Sequence, residues 1–140
     1  MPYRLLSEAE FEYATRGDEQ RAYPWGDRVG IGNANCGECD VERLNRTAPV
    51  NSFPANRFGL HDMVGNVAEW VEDCFHGNYD RAPDDGSPWV AENCLRPVFR
   101  GGSWQSRAGA IRSASRDWQG AGEKTDDVGF RVARELMPQE

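Results

Sequence analysis

The sequence lacks long apolar runs, an excess of positive charge and closely spaced histidines. No stretch approaches the roughly 20 apolar residues of a membrane-spanning helix, and the first seven residues hold no apolar signal-peptide core, so we expect no membrane span and leave the compartment open. The formal net charge of −7 argues against nucleic acid as a partner, because phosphate binding needs a basic surface. His61 and His76 are too far apart for a His-x-x-x-His metal pair.

Glycine, proline and tryptophan are what the chain has in quantity. Its 140 residues suit one domain over residues 1–140. With 15 Gly, 8 Pro and 5 Trp, the chain is too aromatic for a disordered segment and too rich in helix breakers for a helical bundle. We therefore expect long connections, a few short strands and little helix.

Local patterns predict one helix and several strands. Ser7 and Glu10 form a capping-box pattern and Gly17 is a stop signal, which together predict a helix over residues 8–16. Strands are predicted at residues 67–72, 98–100 before the glycine pair, 110–114 and 128–133. Trp70 and Trp104 are predicted core residues, His76 an exposed residue and Ser103 a turn residue.

The four cysteines allow two interpretations. Cys74 and Cys94 could form a disulfide or a proximal pair, or all four cysteines could bind one zinc ion. The Cys36-x-x-Cys39 spacing suits a metal better than a structural disulfide, whereas the wide spacing of Cys74 and Cys94 is unlike a second zinc knuckle. Both interpretations stay open at this point.

Several segments follow one another in a characteristic order. They are Tyr3–Gly17, Tyr23-Pro-Trp-Gly-Asp27, Ala34-Asn-Cys36, Thr47-Ala-Pro-Val50, Phe58–Trp70, Arg100-Gly-Gly-Ser-Trp104, Ile111–Arg116 and Val128-Gly-Phe-Arg-Val-Ala133. Over about residues 3–134 they resemble the formylglycine-generating-enzyme, or sulfatase-modifying-factor, family. The resemblance implies an α+β, irregular C-type-lectin-like fold with one N-terminal helix and a small antiparallel sheet. Because family members usually carry a further stretch before this helix, we expect a shortened or minimal domain.

The resemblance also implies a chemistry that the residues here do not match. Enzymes of the family bind copper(I) through two cysteines shortly after the Gly-Gly-Ser-[Trp/Tyr] segment, and copper(I) needs such soft ligands. In this chain Ser106 stands where the first cysteine would fall, and the second is missing. We therefore expect no copper and no catalytic residues of this kind.

Calcium is a candidate cofactor by the same resemblance, since carboxylate and carbonyl oxygens form its preferred shell. A first site would comprise Asp62, Gly65, Val67 and Glu69. A second site would comprise Asn35, the Cys36 carbonyl and an acid near Asp40 or Glu42. The alternative for the first site is that Asp62 caps a turn and Glu69 pairs with an arginine.

The segment 105–127 is similar in layout to the variable region of diversity-generating-retroelement proteins, which display ligand-binding surfaces on this fold. The candidate ligand-binding residues are Gln105, Ser106, Arg107, Gly109, Arg116, Trp118, Gln119 and Glu123. Trp and Arg are common interface anchors, although Trp118 could instead pack on the domain's own core. The arginines of the flanking strands either form salt bridges or line an anionic-ligand site; they are Arg100, Arg112, Arg116 and Arg131.

Our leading hypothesis is a non-catalytic module that binds a protein or small-molecule ligand through residues 105–127. The first alternative is a metal-dependent oxidoreductase of the same family, formylglycine-generating or sulfoxide-synthase-like. The second is an accessory domain of a larger signalling protein, since such modules are often fused to kinases. The sequence leaves the ligand and the oligomeric state open.

Overall fold

The computed structural model describes residues 2–39 and 45–138. Within these residues the regular elements are one α-helix, four short strands and one turn of 3₁₀ helix. They are α1 (Glu8–Arg16), β1 (Ala68–Cys74), β2 (Pro97–Arg100), the 3₁₀ turn (Ala108–Ile111), β3 (Arg116–Trp118) and β4 (Val128–Gly129). The low content of regular structure confirms the predicted irregular α+β fold. No helix of these residues has the length and apolar character needed to cross a bilayer.

Helix α1 has the predicted limits because its ends are capped. The Glu10 N–H donates to the Ser7 hydroxyl at 3.1 Å, and the Ser7 N–H donates to the Glu10 carboxylate at 2.8 Å. Gly17 adopts the left-handed conformation that ends the helix. The Ser7 hydroxyl also donates to the Gly86 carbonyl at 2.6 Å, so the helix start is tied to a distant loop. Phe11 turns inward and is buried.

The four strands form one sheet in the order β3-β2-β1-β4. β1 pairs antiparallel with β2, and β2 pairs antiparallel with β3. β4 lies parallel to β1, with Ala68 opposite Val128. The sheet is therefore mixed rather than wholly antiparallel as expected, because the chain leaves β3 on one side and returns on the far side of β1. Strand β1, with neighbours on both sides, is the most buried of the four.

Two predicted strands differ from the structure. Residues 110–114 alternate in burial as a strand would, but the Ala110 N–H donates to the Arg107 carbonyl, and the chain curls into the 3₁₀ turn. β4 stops after two residues, and Ala133 instead bridges to Arg4. Alternation in the sequence does not show whether a neighbouring strand is available, and the described residues pair neither 110–114 nor 130–132 with a strand.

Three aromatic predictions also need correction. Trp70 and Trp104, expected in the core, are half-buried, and Trp70 meets Phe99 edge-on. His76, expected to be exposed, is half-buried because its ring stacks on Trp89 with centroids 3.6 Å apart.

The core consists of two clusters joined through the adjacent residues Met63 and Val64. One lies between α1 and the sheet and comprises Phe11, Met63, Val71 and Val98. The other lies under the loops and comprises Tyr23, Ala34, Cys36, Cys39, Val64 and Ile111.

All four cysteines lie in the described residues and form two disulfides, Cys36–Cys39 and Cys74–Cys94. The Cys36–Cys39 spacing, which favoured a metal, therefore belongs to a disulfide inside the loop cluster. A zinc site built from four thiolates is not formed, because each sulfur is bonded to its partner. Cys74–Cys94 joins the end of β1 to the segment that leads into β2.

Replacing Glu10 with Gln should reduce the dependence of stability on acidic pH. The Arg4 guanidinium and the Ser7 N–H hold the pKa of Glu10 down at about 2, compared with 4.5 for a free glutamate. A lowered folded-state pKa stabilises the fold above pH 4.5, and this contribution is lost as the pH falls towards 2. Thermal unfolding of E10Q between pH 2 and pH 7 should therefore show a flatter profile than the native chain. Glu92→Gln, at an exposed position, is the control; parallel profiles for E10Q and the native chain would contradict the prediction.

Candidate functional site

A groove of about 480 Å³ opens beside the glycine pair at the end of β2. Both glycines have positive φ, 94° at Gly101 and 64° at Gly102. A Cβ on Gly101 would lie 2.7 Å from the Met63 carbonyl oxygen, and one on Gly102 would lie 2.8 Å from the Ala110 carbonyl oxygen. Only glycine fits either position, so the backbone packs directly against the 3₁₀ turn and forms the groove floor.

Ser103 and Ser106 close a tight turn at the groove, as predicted for Ser103. The Ser106 N–H donates to the Ser103 carbonyl at 3.0 Å, and the Ser103 N–H donates to the Ser106 hydroxyl at 2.9 Å. The Ser103 side chain accepts from the Gln105 N–H and bonds to Asp127. The hydroxyl of Ser106 therefore has a structural partner.

The Cys36–Cys39 loop forms hydrogen bonds to the same turn. The Gly37 N–H donates to the Ser106 carbonyl at 2.7 Å, and the Ala108 N–H donates to the Glu38 carboxylate at 3.2 Å. Residues between the two bonded cysteines thus fix residues 106–108. Sequence reasoning missed this contact, because nothing local connects the two segments.

Two arginines at the groove form salt bridges with α1. Of the two roles considered for the arginines, salt bridge or anionic-ligand site, this is the more common one. Arg100 is only 2% exposed. Its guanidinium donates to the carbonyls of Ser113 and Ser115 at 3.2 and 2.8 Å and to the Glu12 carboxylate. Arg116 forms a two-pronged pair with Glu8 at 2.7 and 2.9 Å. Arg112 is exposed and donates to the Gly109 carbonyl.

The predicted ligand-binding residues divide between two surfaces. Ser106, Gly109 and Arg116 line the groove. Trp118, Gln119 and Glu123 lie on β3 and in the loop after it, where Gln119 donates to Thr125 and the Glu123 N–H donates to the Gly120 carbonyl. Gln105 and Arg107 are exposed and belong to neither group.

Trp118 does not pack in either core cluster. It is 39% exposed, and its ring lies 6.0 Å from that of Phe75. The Arg96 guanidinium carbon lies 5.5 Å from the Trp118 ring centroid. No local pattern around Trp118 predicts Phe75 or Arg96 as its neighbours.

At the first candidate calcium site, Glu69 pairs with an arginine. This is the alternative to calcium binding that the sequence left open for Glu69. Arg131 donates to both oxygens of the buried Glu69 carboxylate, at 2.6 and 2.8 Å, and to the carbonyls of His61 and Asp62. Burial raises the pKa of Glu69, and the Arg131 guanidinium offsets this only in part. Asp62, Val67 and Glu69 line one shallow cavity of about 390 Å³ together with Arg131.

Asp62 has an unused acceptor. One carboxylate oxygen, Oδ1, is buried and has no hydrogen-bond partner among the described residues. Burial raises the pKa of Asp62, the nearby Arg131 opposes that shift, and the residue holds a left-handed backbone with φ of 54°. A cavity of about 460 Å³ beside Trp25 and Asn56 also reaches Asp62, and it contains none of the other predicted site residues.

The second calcium candidate is only partly described, because Asp40 and Glu42 lie outside the described residues. The Asn35 amide donates to the Arg46 carbonyl at 2.9 Å and to the Asn66 side chain at 3.3 Å. Gly65, from the first candidate, packs directly on Asn35, since a Cβ there would lie 2.6 Å from the Asn35 carbonyl oxygen. The Cys36 carbonyl accepts from the Cys39 N–H.

This geometry defines an irregular α+β domain of the C-type-lectin-like class with a groove beside the Gly-Gly turn. The sulfatase-modifying factor enzyme 1-like domain family matches residues 2–136, and the chain belongs to that family.

Relatives and solved structures agree with this assignment. The chain is 38% identical to the serine/threonine-protein kinase pkn1 of Chlamydia caviae over 94% of its own length and 21% of the kinase. It is 32% identical to the formylglycine-generating enzyme of Mus musculus over 96% of its length and 40% of the enzyme. The chain therefore spans less than half of these curated relatives.

Two solved structures share the fold. PvdO from Pseudomonas aeruginosa matches with a TM-score of 0.87 and 41% identity, over 96% of this chain and 53% of PvdO. Treponema denticola variable protein 1 matches with a TM-score of 0.75 and 28% identity, over 93% of this chain and 46% of that protein.

Replacing Arg131 with Met should destabilise the domain by about 3 kcal/mol, because it leaves the buried Glu69 carboxylate without its partner. Arg57→Met removes the exposed pair with Glu19 and should cost less than about 1 kcal/mol. Urea unfolding at pH 7 measures both. The double variant Glu69→Gln with Arg131→Met should recover part of the loss, since no unpaired charge remains. Equal effects of R131M and R57M would contradict the buried pair.

Proposed function

We propose that this domain is a ligand-binding module whose recognition surface is built by residues 105–127, and that it does not generate formylglycine. The observation that carries the proposal is the burial pattern of this segment. Of residues 105–127, all of them described, only Ile111 and Ser113 are buried. Apart from Ser106 and Arg116, which bond to the scaffold, the other side chains can therefore change without altering the core, as a display surface requires.

The atoms available as metal ligands at the groove support the proposal that the domain does not generate formylglycine. Ser106, at the position expected for a copper ligand, offers a hard hydroxyl oxygen that the Ser103 N–H already uses. The four cysteines are bonded in pairs, so none of them offers a thiolate. Copper(I) prefers soft thiolate sulfur. The residues present do not fit copper, and we derive no step through it.

The relatives are compatible with a binding role. The variable protein of Treponema denticola shows that a protein described as variable uses this fold. The match to one fifth of the chlamydial kinase pkn1 shows that the domain type also occurs as part of a larger chain. A module fused to a signalling protein would need a stable scaffold with a changeable surface, and the segment 105–127 has that character.

Replacing Trp118 with Ala should strongly weaken the binding of a ligand selected from glycan and peptide arrays. Trp118 combines a large ring with partial exposure, which is typical of an interface residue that contributes 2 kcal/mol or more, roughly a 30-fold loss of affinity. Phe58→Ala is the matched control, since Phe58 is a similarly exposed ring paired with Tyr13 away from the segment. Calorimetry on the selected ligand measures the effect.

The same protein should not convert a cysteine in a sulfatase-type peptide to an aldehyde when supplied with copper and oxygen, and Ser106→Cys alone should not introduce the activity. Mass spectrometry of the peptide measures this. Aldehyde formation by the native chain would refute the proposal and favour an oxidoreductase.

We further propose that calcium binds at Asp62 as a structural ion. The unpartnered buried Oδ1 of Asp62 is the observation in favour, because a buried carboxylate oxygen without a donor is costly unless a cation compensates it. Carbonyls of Gly65 and Val67 would complete an oxygen shell. Glu69 would contribute only through lone pairs that Arg131 leaves free, since both of its oxygens accept from the guanidinium.

Adding 1 mM calcium should raise the melting temperature of the native chain if the dissociation constant is well below that concentration; a constant a hundredfold lower would add about 2.7 kcal/mol. Asp62→Asn should lose most of this gain, since it removes the charge but keeps the shape. Asp80→Asn, at an exposed loop position, should keep it. The site would be refuted if calcium left the melting temperature of the native chain unchanged, or if it raised the melting temperature of D62N by the same amount.

A further inference from the structure

Five side chains beside β3 form a row in which aromatic rings and guanidinium groups alternate. In order they are Trp118, Arg96, Phe75, Arg116 and Tyr79. The Arg96 guanidinium carbon lies 5.5 Å from the Trp118 centroid and 5.9 Å from that of Phe75. The Arg116 guanidinium carbon lies 5.0 Å from the Phe75 centroid and 5.1 Å from that of Tyr79. Each distance is within the range of a cation–π contact.

The two arginines of this row differ in charge balance. Arg116 is neutralised by its two-pronged pair with Glu8. Arg96 takes part in none of the ion pairs formed by the described residues. In a chain of net charge −7, Arg96 is thus an exposed cation with no ionic partner in the part of the chain that the structure describes.

The backbone that carries Arg96 is held by hydrogen bonds and a disulfide. The Phe75 N–H donates to the Arg96 carbonyl at 2.8 Å, and the Ala121 N–H donates to the Leu95 carbonyl at 3.0 Å. The disulfide between Cys74 and Cys94 joins the residues that precede Phe75 and Leu95. A guanidinium resting on two rings above a cross-linked backbone loses little entropy on binding.

We propose that Arg96 is the docking point for a carboxylate of an acidic peptide segment, with an aliphatic neighbour of that carboxylate packing on Trp118. One uncompensated guanidinium matches one carboxylate, which it can bind through two parallel hydrogen bonds. The partly exposed ring of Trp118, 39% exposed, is the apolar surface next to this guanidinium. Polyanions are disfavoured, because the rest of the chain is acidic.

This inference rests on the proposed binding role. It assigns the chemistry of the part of the ligand that contacts Trp118. The probes are the peptides acetyl-Leu-Glu-Leu-amide, acetyl-Leu-Gln-Leu-amide and acetyl-Leu-phosphoserine-Leu-amide. Their binding to the full chain is followed by the NMR signals of the Trp118 indole N–H and the Arg96 Nε–H. The Glu peptide should shift both signals saturably and bind about fivefold more tightly than the Gln peptide.

Two variants and one control test the residue. Arg96→Gln should remove the preference for Glu over Gln. Arg96→Lys should reduce it, because a lysine keeps the charge without the fork. Arg28→Gln, at another exposed arginine without an ion pair among the described residues, should keep it. Equal binding of the Glu and Gln peptides, or an unchanged preference in R96Q, would overturn the inference.

Two further outcomes are decisive. Tighter binding of the phosphoserine peptide than of the Glu peptide, lost in R96Q, would overturn the carboxylate assignment in favour of a phosphate site. An array-selected ligand that depends on Trp118 but not on Arg96 would overturn this inference and leave the proposed function standing. If Trp118→Ala still binds every selected ligand as tightly as the native chain, the proposed function is refuted, and this inference falls with it.

Discussion

The buried guanidinium of Arg100 is the interaction on which the rest of the domain depends. It stands at the end of β2, is 2% exposed, and donates to Glu12 of α1 and to the carbonyls of Ser113 and Ser115. A helix, a strand and the exit of the 3₁₀ turn are therefore held by one side chain. A buried charge is tolerated only when it has such partners, and removing a charged partner leaves the other charge buried and uncompensated.

The same solution recurs wherever regular structure is missing. The Asp73 carboxylate accepts from the Glu8 and Trp89 N–H groups at 2.7 and 2.9 Å. The Asn56 amide oxygen accepts from Phe58 and Leu60, and its nitrogen donates to the Ala14 carbonyl. In a domain with few ladders, buried backbone groups must find side-chain partners. Side-chain hydrogen bonds thus connect loops that the short sheet does not reach.

Local features were predictable, and long-range ones were not. Ser7, Glu10 and Gly17 fix α1 within a few residues, so its limits follow from the sequence. The pairing of Glu8 with Arg116 joins residues 108 positions apart, and no local pattern distinguishes it from other Glu–Arg combinations. The parallel placement of β4 depends on the path of the chain between strands, which propensity does not encode.

The site shows the same division between local and distant information. The Gly-Gly turn and its serines were identified from the sequence, but the separation of Trp118 from the groove was not. One signal was overlooked: a bond between Cys74 and Cys94 places Phe75 next to Leu95 and Arg96. Following that bond would have located two of the five members of the aromatic–guanidinium row. Because glutamates of α1 neutralise Arg100 and Arg116, the groove carries little net charge from them, whereas Arg96 keeps its own. Discrimination between ligands should therefore come from shape and from Arg112 in the groove, and from the charge of Arg96 at the β3 edge.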